Sequence, residues 1–382
     1  MKAMAYFDYA AATPLLPEVV TAMEPYFTQI FYNPGALYLS ARSVKNDIHE
    51  ARATVARALG AKPNEVIFTA GGTEANNLAI SGAMQQYPDA HMVISAIEHE
   101  SVIQPALQYS HAVAPVDENG RIDYVRLLDL VSEKTLLISV MLANNEIGTI
   151  QDIKALVARV AAVREKRRLE GNNRPLYIHT DACQAINYLD INTARLDVDM
   201  MTINAGKIYG PKQTGALYIK SGVTLLPVLR GGGQERDLRS GTQNVANIVG
   251  FARAIQLVRQ DVTQEVKRLE KLQKHIVDSI VDNRLIHLNG TRLGRRLVNN
   301  IHITIDGVDN ERLLMELDER GVLIATGSAC SASSEAPSHV LAAIGLSEAQ
   351  SRNSVRITLG RHTTIEHCDT LIRSIKEVVA KY

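Results

Sequence analysis

The sequence predicts an α/β protein. A large domain built on a mainly parallel sheet flanked by helices is followed by a smaller α+β domain. Three observations predict it. Short β-rich runs alternate with helical stretches from about residue 64 to 220. A polar helical stretch then leads into a second set of elements from about 260 onward. The length, 382 residues, fits two or three domains at roughly 100–200 residues each.

Taken in order, "EVIFTA" (65–70), "HMVISA" (91–96), "LLISVML" (136–142), "PLYIHT" (175–180) and "DMMTIN" (199–204) read as buried strands, with "ALYIK" as one more. Between them, "TEANNLAISGAMQQY" and "DIKALVARVAAVREKRR" carry helical periodicity. Such alternation marks a parallel sheet covered on both faces. The stretch 244–282 is expected to be one long connector helix. After it, "NIHITI" (300–305) reads as a strand and "DNERLLMELDERG" (309–321) as a helix. For the last helix, Thr363 with Glu366 reads as a capping box, and Ile365, Cys368, Ile372, Ile375 and Val379 as its apolar stripe. The expected division is residues 15–258 for the large domain, and 1–14 with 259–382 for the small one.

Composition excludes several classes. Lys+Arg and Asp+Glu are equal at 41 each, so no global field favours nucleic acid or an anionic membrane. The basic run "REKRR" reads as a solvated helix end. No apolar run approaches the ~20 residues that span a bilayer. The opening "MKAMAYFDYAAATP" has no apolar core of a secretory leader. Three cysteines, Cys183, Cys330 and Cys368, argue against a disulfide framework and for the reducing cytoplasm. No metal-ligand pattern is present, and no metal is expected.

Ligands of open α/β sheets bind beyond the carboxyl ends of the strands. Lys207 and Asp181 both lie at such ends. A phosphate-binding P-loop is excluded at Lys207, because Met201 and Ile208 stand where glycine and Ser/Thr are required. A partly buried lysine there suits a Schiff base, and otherwise it snorkels to water. Asp181 suits the ring nitrogen of a pyridoxal cofactor, with Gln184 within reach of the ring hydroxyl; it serves equally as an N-cap. Gly72 and Thr73, in "TAGGTEANN", offer backbone N–H groups at a helix start, an anion site. His99 stacks on a flat ring, moves a proton, or is structural. Cys330, in "ATGSACSASSEAPSH", is a loop-borne candidate nucleophile, whereas Cys183 and Cys368 are expected to pack as small hydrophobes. Arg356 interrupts an apolar strand and wants a carboxylate, either a substrate's or an internal partner's.

In order along nearly the whole chain, "YFDYAAATP", "NPGALYLSARS", "VIFTAGGTEANNLAI", "IEHES", "NNEIGTIQDI", "HTDACQA", "GKIYGPKQTGALY", "GGGQERDLRSGTQN", "GSACSASSEAPSHVL" and "SVRITLGRHTT" appear. This series resembles the cysteine desulfurases of the NifS/IscS group, class V aminotransferases among the fold-type I pyridoxal-phosphate transferases. The resemblance implies that Lys207 holds pyridoxal 5'-phosphate as a Schiff base and takes the substrate's Cα proton. It implies that Asp181 and Gln184 meet the ring nitrogen and hydroxyl, and that His99 stacks on the ring. Gly72 and Thr73 match phosphate contacts. Thr242 matches a phosphate contact made in the other subunit, hence a homodimer with shared sites. Asn145 matches a cofactor and substrate contact, and Asn33 and Arg356 the pair that grips the carboxylate of L-cysteine. Cys330 matches the nucleophile that takes up sulfur and hands it to an acceptor protein, for iron–sulfur cluster assembly or tRNA thiolation.

One segment departs from the group's pattern. Asn204-Ala205-Gly206-Lys207 stands where Ser-x-His-Lys is usual, so Asn204 replaces the serine only in part and the phosphate grip is expected to lean on Gly72, Thr73 and Thr242. Two other readings remain at this level. A selenocysteine lyase or aminotransferase would not need Cys330. A silent sulfur-relay homologue is favoured only by the changed Asn204–Gly206 segment.

Overall fold

The structure, a computed structural model, describes residues 4–291, 295–327 and 337–381. Twelve strands follow one another among the described residues: β1 (Ala5–Tyr6), β2 (Val66–Thr69), β3 (His91–Ser95), β4 (Ser110–Ala114), β5 (Thr135–Ser139), β6 (Tyr177–Asp181), β7 (Met200–Asn204), β8 (Gly215–Ile219), β9 (Ile286–Leu288), β10 (Asn300–Ile305), β11 (Val322–Leu323) and β12 (Ser354–Thr358). Seven of them form the central sheet, in the order β2-β8-β7-β6-β5-β3-β4. Pairing is parallel from β4 through β7, and β8 runs antiparallel to both neighbours.

The sequence pattern explains most of this sheet. Strands β2, β5 and β8 are buried throughout, as continuous apolar runs covered on both faces must be. One face packs on helices Leu39–Leu59, Ile153–Leu169 and Val245–Gln260. The other packs on Gly72–Met84 and Glu100–Ala106. Strand β4 was not expected. It is a short edge strand whose residues are largely half-exposed, so "SHAVA" carries little apolar signal.

A second core gathers the sheet β12-β10-β9 and helices Val262–Ile280, Asn310–Asp318 and Ile365–Val379. The N-terminal strand packs here too: β1 pairs parallel with β11, and Phe7 is fully buried in this core. Two expectations need correction. The stretch 244–282 is two helices that meet at Asp261 rather than one connector. Val258 packs in the first core and Leu269 in the second, so the break at Asp261 falls where the chain passes from one core to the other. The capping box of the last helix is Thr364 with His367, because the Thr363 hydroxyl is taken by the Gly360 N–H at 2.9 Å.

Because β8 returns antiparallel, the chain must reverse just beyond Asn204, and this reversal carries Lys207. It is closed by Ala205 N–H donating to the Thr214 carbonyl (2.9 Å). Tyr209 takes a left-handed φ of 63°, costly for a bulky residue. Its N–H donates to the Thr13 hydroxyl at 2.7 Å, and its own hydroxyl accepts from Arg361 N–H at 2.7 Å. Gly215 has no alternative: a Cβ there would lie 2.7 Å from the Gly71 carbonyl carbon.

Candidate active site

Parallel neighbours β6 and β7 end side by side, so Asp181 closes one strand and Lys207 follows the end of the next. One cavity is lined by Gly72, Thr73, His99, Asn145, Asp181, Gln184, Asn204, Lys207 and Arg356. Nine of the residues singled out in the sequence thus meet, drawn from six separate stretches of chain.

Lys207 donates from Nζ to the carbonyls of Ala10 (2.8 Å) and Ala11 (2.6 Å). Gln184 donates to the same Ala10 carbonyl at 3.0 Å. The segment Asp8–Thr13 therefore closes one side of the cavity. The Asp181 carboxylate is buried and accepts from Cys183 N–H (2.9 Å) and the Asn76 amide (2.7 Å). Asn76 also donates to Ser101 Oγ at 2.8 Å, and Ser101 contacts His99 Nδ1 at 2.8 Å. Ser101 N–H donates to the same Nδ1 at 3.1 Å. A nitrogen that accepts a backbone N–H carries no proton, so the neutral ring of His99 is protonated on Nε2. Asn76 and Ser101 thus join His99 to Asp181, a link that sequence reading missed. The available signal was a buried asparagine inside a helix.

The Gly72–Met84 helix is capped by Gly71, whose φ is 122°, and its first two residues, Gly72 and Thr73, line the cavity with N–H groups that have no partner within the helix. A Cβ on Gly72 would meet Cys183 Sγ at 2.9 Å and Asn204 Nδ2 at 3.5 Å, so the cradle is bare backbone with an amide beside it. Asn204 accepts Gly206 N–H at 2.8 Å through Oδ1. Cys183, expected to pack as a small hydrophobe, is half-buried at the site. It lines the cavity, and burial pushes its thiol well above the usual range. Cys368 is fully buried in the second core, as expected.

Arg356, on β12, is 1% exposed. It donates to Asp8 Oδ1 (2.7 Å) and to the Asn145 carbonyl (3.2 Å). The internal partner anticipated for it is therefore present, although the guanidinium still lines the cavity. Two predicted residues stand apart. Asn33 is exposed and lines a different cleft, with Gly232, Gln234 and Gln243; its Oδ1 accepts Gly35 N–H at 2.9 Å. Thr242 is exposed on the neighbouring loop. That loop holds left-handed Glu235, Arg236 and Asp237 in succession. It is pinned by Glu235, which accepts from Arg52 (2.6 Å twice) and from Phe68 N–H (2.9 Å). A single chain brings neither Asn33 nor Thr242 to Lys207. Cys330 lies outside the described residues.

Glu98, next to His99, is fully buried. One oxygen accepts Met141 N–H at 2.7 Å and the other has no partner. Burial, with Asp181 nearby, raises its carboxyl to about 8. The native state then holds a proton that the unfolded chain has released, so its contribution to stability is full below the ordinary value of 4.5 and is lost as pH rises through about 8. Urea unfolding of Glu98→Gln and wild type is expected to show the wild type losing ground to the variant from pH 5 to pH 8. Parallel pH profiles would sink the assignment.

The residues fit an aldehyde-bearing, phosphorylated pyridine. An amine and a carboxylate end adjacent strands, and a bare helix N-terminus faces the same space. This fold and site define a pyridoxal-phosphate enzyme of fold type I. The model of the family "Aminotransferase class-V" matches residues 5–371, and the chain belongs to that family. It is 40% identical to a "Cysteine desulfurase IscS" of Dictyoglomus turgidum, covering 100% of this chain and 96% of that one. It is 38% identical to the same-named protein of Methanosarcina thermophila, over 98% of this chain and 92% of the other. Among solved structures, the NifS-like protein of Rickettsia africae superposes with a TM-score of 0.86 at 30% identity, covering 99% and 100% of the two chains. "SspA in complex with cysteine" does so with a TM-score of 0.80 at 33% identity, covering 94% and 99%.

Proposed function

We propose that this protein is a pyridoxal-phosphate-dependent cysteine desulfurase, which converts L-cysteine to L-alanine and leaves the sulfur on Cys330. The observation that carries the reading is the convergence of Lys207, Asp181 and Arg356 on one cavity. Relatives named cysteine desulfurase across the full length support it, as does a relative solved with cysteine.

Pyridoxal phosphate, when bound, supplies the electron sink for a negative charge at Cα. Lys207 would provide the amine that holds the cofactor and, once freed, would take the Cα proton. Asp181 would meet the ring nitrogen, with Gln184 at the ring hydroxyl and His99 against the ring. Gly72, Thr73 and Asn204 would receive the phosphate. Arg356 and Asn145 orient the substrate, with its carboxylate on the guanidinium. The Cys330 thiolate attacks the substrate sulfur. An S–S bond forms as the C–S bond breaks, and the electron pair left on carbon is protonated to give alanine. The persulfide passes to an acceptor protein, for iron–sulfur cluster assembly or tRNA thiolation.

The working unit in this reading is a homodimer. Phe27, Phe31, Leu37, Tyr38 and Leu39 are each more than half exposed on one stretch of chain, a concentration of apolar surface that favours association. Asn33 lies within that stretch and lines a cleft with Gln243, the neighbour of Thr242, which supports a role for both in the site of a second copy. The chain divides at residues 258/259, with the first 14 residues joining the C-terminal part. No described helix is long and apolar enough to cross a membrane, and three sparse cysteines suit the cytoplasm.

The test is anaerobic turnover with pyridoxal phosphate, L-cysteine and a thiol reductant, with Cys330→Ser alongside. Equal alanine and sulfide from the wild type, and neither from the variant, are expected. Turnover that survives in the variant would exclude the persulfide step and favour a lyase.

A further inference from the structure

Arg356 is the largest side chain in the fully buried set, and a guanidinium cannot be buried bare. Its surroundings are specific. Asp8 Oδ1 accepts from one terminal nitrogen at 2.7 Å, and the Asn145 carbonyl from the other at 3.2 Å. Across the strand pair stands His302, fully buried and held neutral by burial. Asp8 is therefore the carboxylate that balances Arg356. Of the five N–H donors of a guanidinium, these contacts use two. The Nε–H is buried without a partner, so it and one N–H on each terminal nitrogen remain for a second carboxylate.

Asp8 is not loosely placed. Its carbonyl accepts from the Tyr6 hydroxyl at 2.8 Å and from Ala11 N–H at 3.0 Å, and its backbone bridges to Thr358 two residues beyond Arg356. It also opens the segment whose Ala10 and Ala11 carbonyls hold Lys207.

We propose that Asp8 is a positioning residue that sets how Arg356 receives the ligand's carboxylate: its hydrogen bond fixes the guanidinium before the ligand arrives, and its charge limits how tightly a second carboxylate is held. This rests on the reading of the cavity as an amino-acid site. Substrate and product carry the same carboxylate, so a guanidinium without a resident counter-charge would retain the product. Two carboxylates on one guanidinium repel, and that repulsion loosens the complex without disturbing its orientation.

The test uses the holoenzyme and two probes, L-alanine and ethylamine, which lacks the carboxylate. Binding is read from the change in cofactor absorbance. Asp8→Asn keeps an oxygen for the Arg356 hydrogen bond and removes the charge. It is expected to bind L-alanine about tenfold more tightly, with ethylamine unchanged. A residue needed only for structure would weaken L-alanine binding or leave it alone. Equal or weaker L-alanine binding by a D8N protein with wild-type absorbance therefore overturns the proposal. Asp8→Glu, which keeps the charge, is expected to bind L-alanine no more tightly than wild type. Tighter binding there overturns it even if D8N does not fold. Wild-type protein that does not prefer L-alanine to ethylamine would instead overturn the amino-acid site itself, and this role with it.

Discussion

Lys207→Ala is expected to lower L-alanine formation by about a thousandfold or more, because it removes the group proposed both to anchor the cofactor and to act as the base at Cα. The purified variant is expected to lose the visible absorbance that the wild type shows with pyridoxal phosphate. The fold should survive. Lys207 follows the end of a strand, its Nζ donates to the backbone carbonyls of Ala10 and Ala11 in the cavity wall, and Asn187 holds the Lys207 backbone carbonyl at 2.7 Å whatever the side chain. The same variant tests the dimer. A Lys207→Ala chain still carries Thr242, and a Thr242→Ala chain still carries Lys207. Random mixing makes half the dimers mixed, each with one intact site, so up to about a quarter of wild-type activity should return at limiting cofactor. No recovery on mixing would remove Thr242 from the partner's site.

The second large effect is at Asp181. Asp181→Asn retains size and one hydrogen-bond acceptor but replaces the charge proposed to meet the ring nitrogen, and about a hundredfold loss in kcat is expected. Asn76→Ala separates charge from placement. It leaves the carboxylate but removes the 2.7 Å donor that fixes it and the 2.8 Å donor to Ser101. A smaller loss, about tenfold, is expected there, with a shifted cofactor spectrum because both Asp181 and His99 lose their support. If Asp181→Asn turned over like the wild type while staying yellow, the carboxylate would have no part in the chemistry.

The physical basis of these two predictions also shows what was legible early. Lys207 and Asp181 stand out in the sequence because each is a charged residue closing an apolar strand, and parallel strands must bring their ends together. Gly72 and Thr73 are legible for a similar reason, since a helix start is written locally as glycine followed by a helical period. The partners that tune them are not local. Asn76 reaches Asp181 across 105 residues, and Asp8 reaches Arg356 across 348. No periodicity or spacing encodes such a pairing; it exists only once β1, β12 and the central sheet are packed.

Read locally, the sequence specifies the alternating strands and helices, the absence of a membrane-length apolar run, and most of the residues that line the cavity, because side-chain type and period act over a few residues at a time. Tertiary structure decided the rest. It split the connector at Asp261 because its two halves answer to two cores. It turned Cys183 into the cavity and left Asn33 and Thr242 outside it. It set the counter-charge of Arg356, because a buried ion takes its partner from whatever chain the fold brings within hydrogen-bond reach.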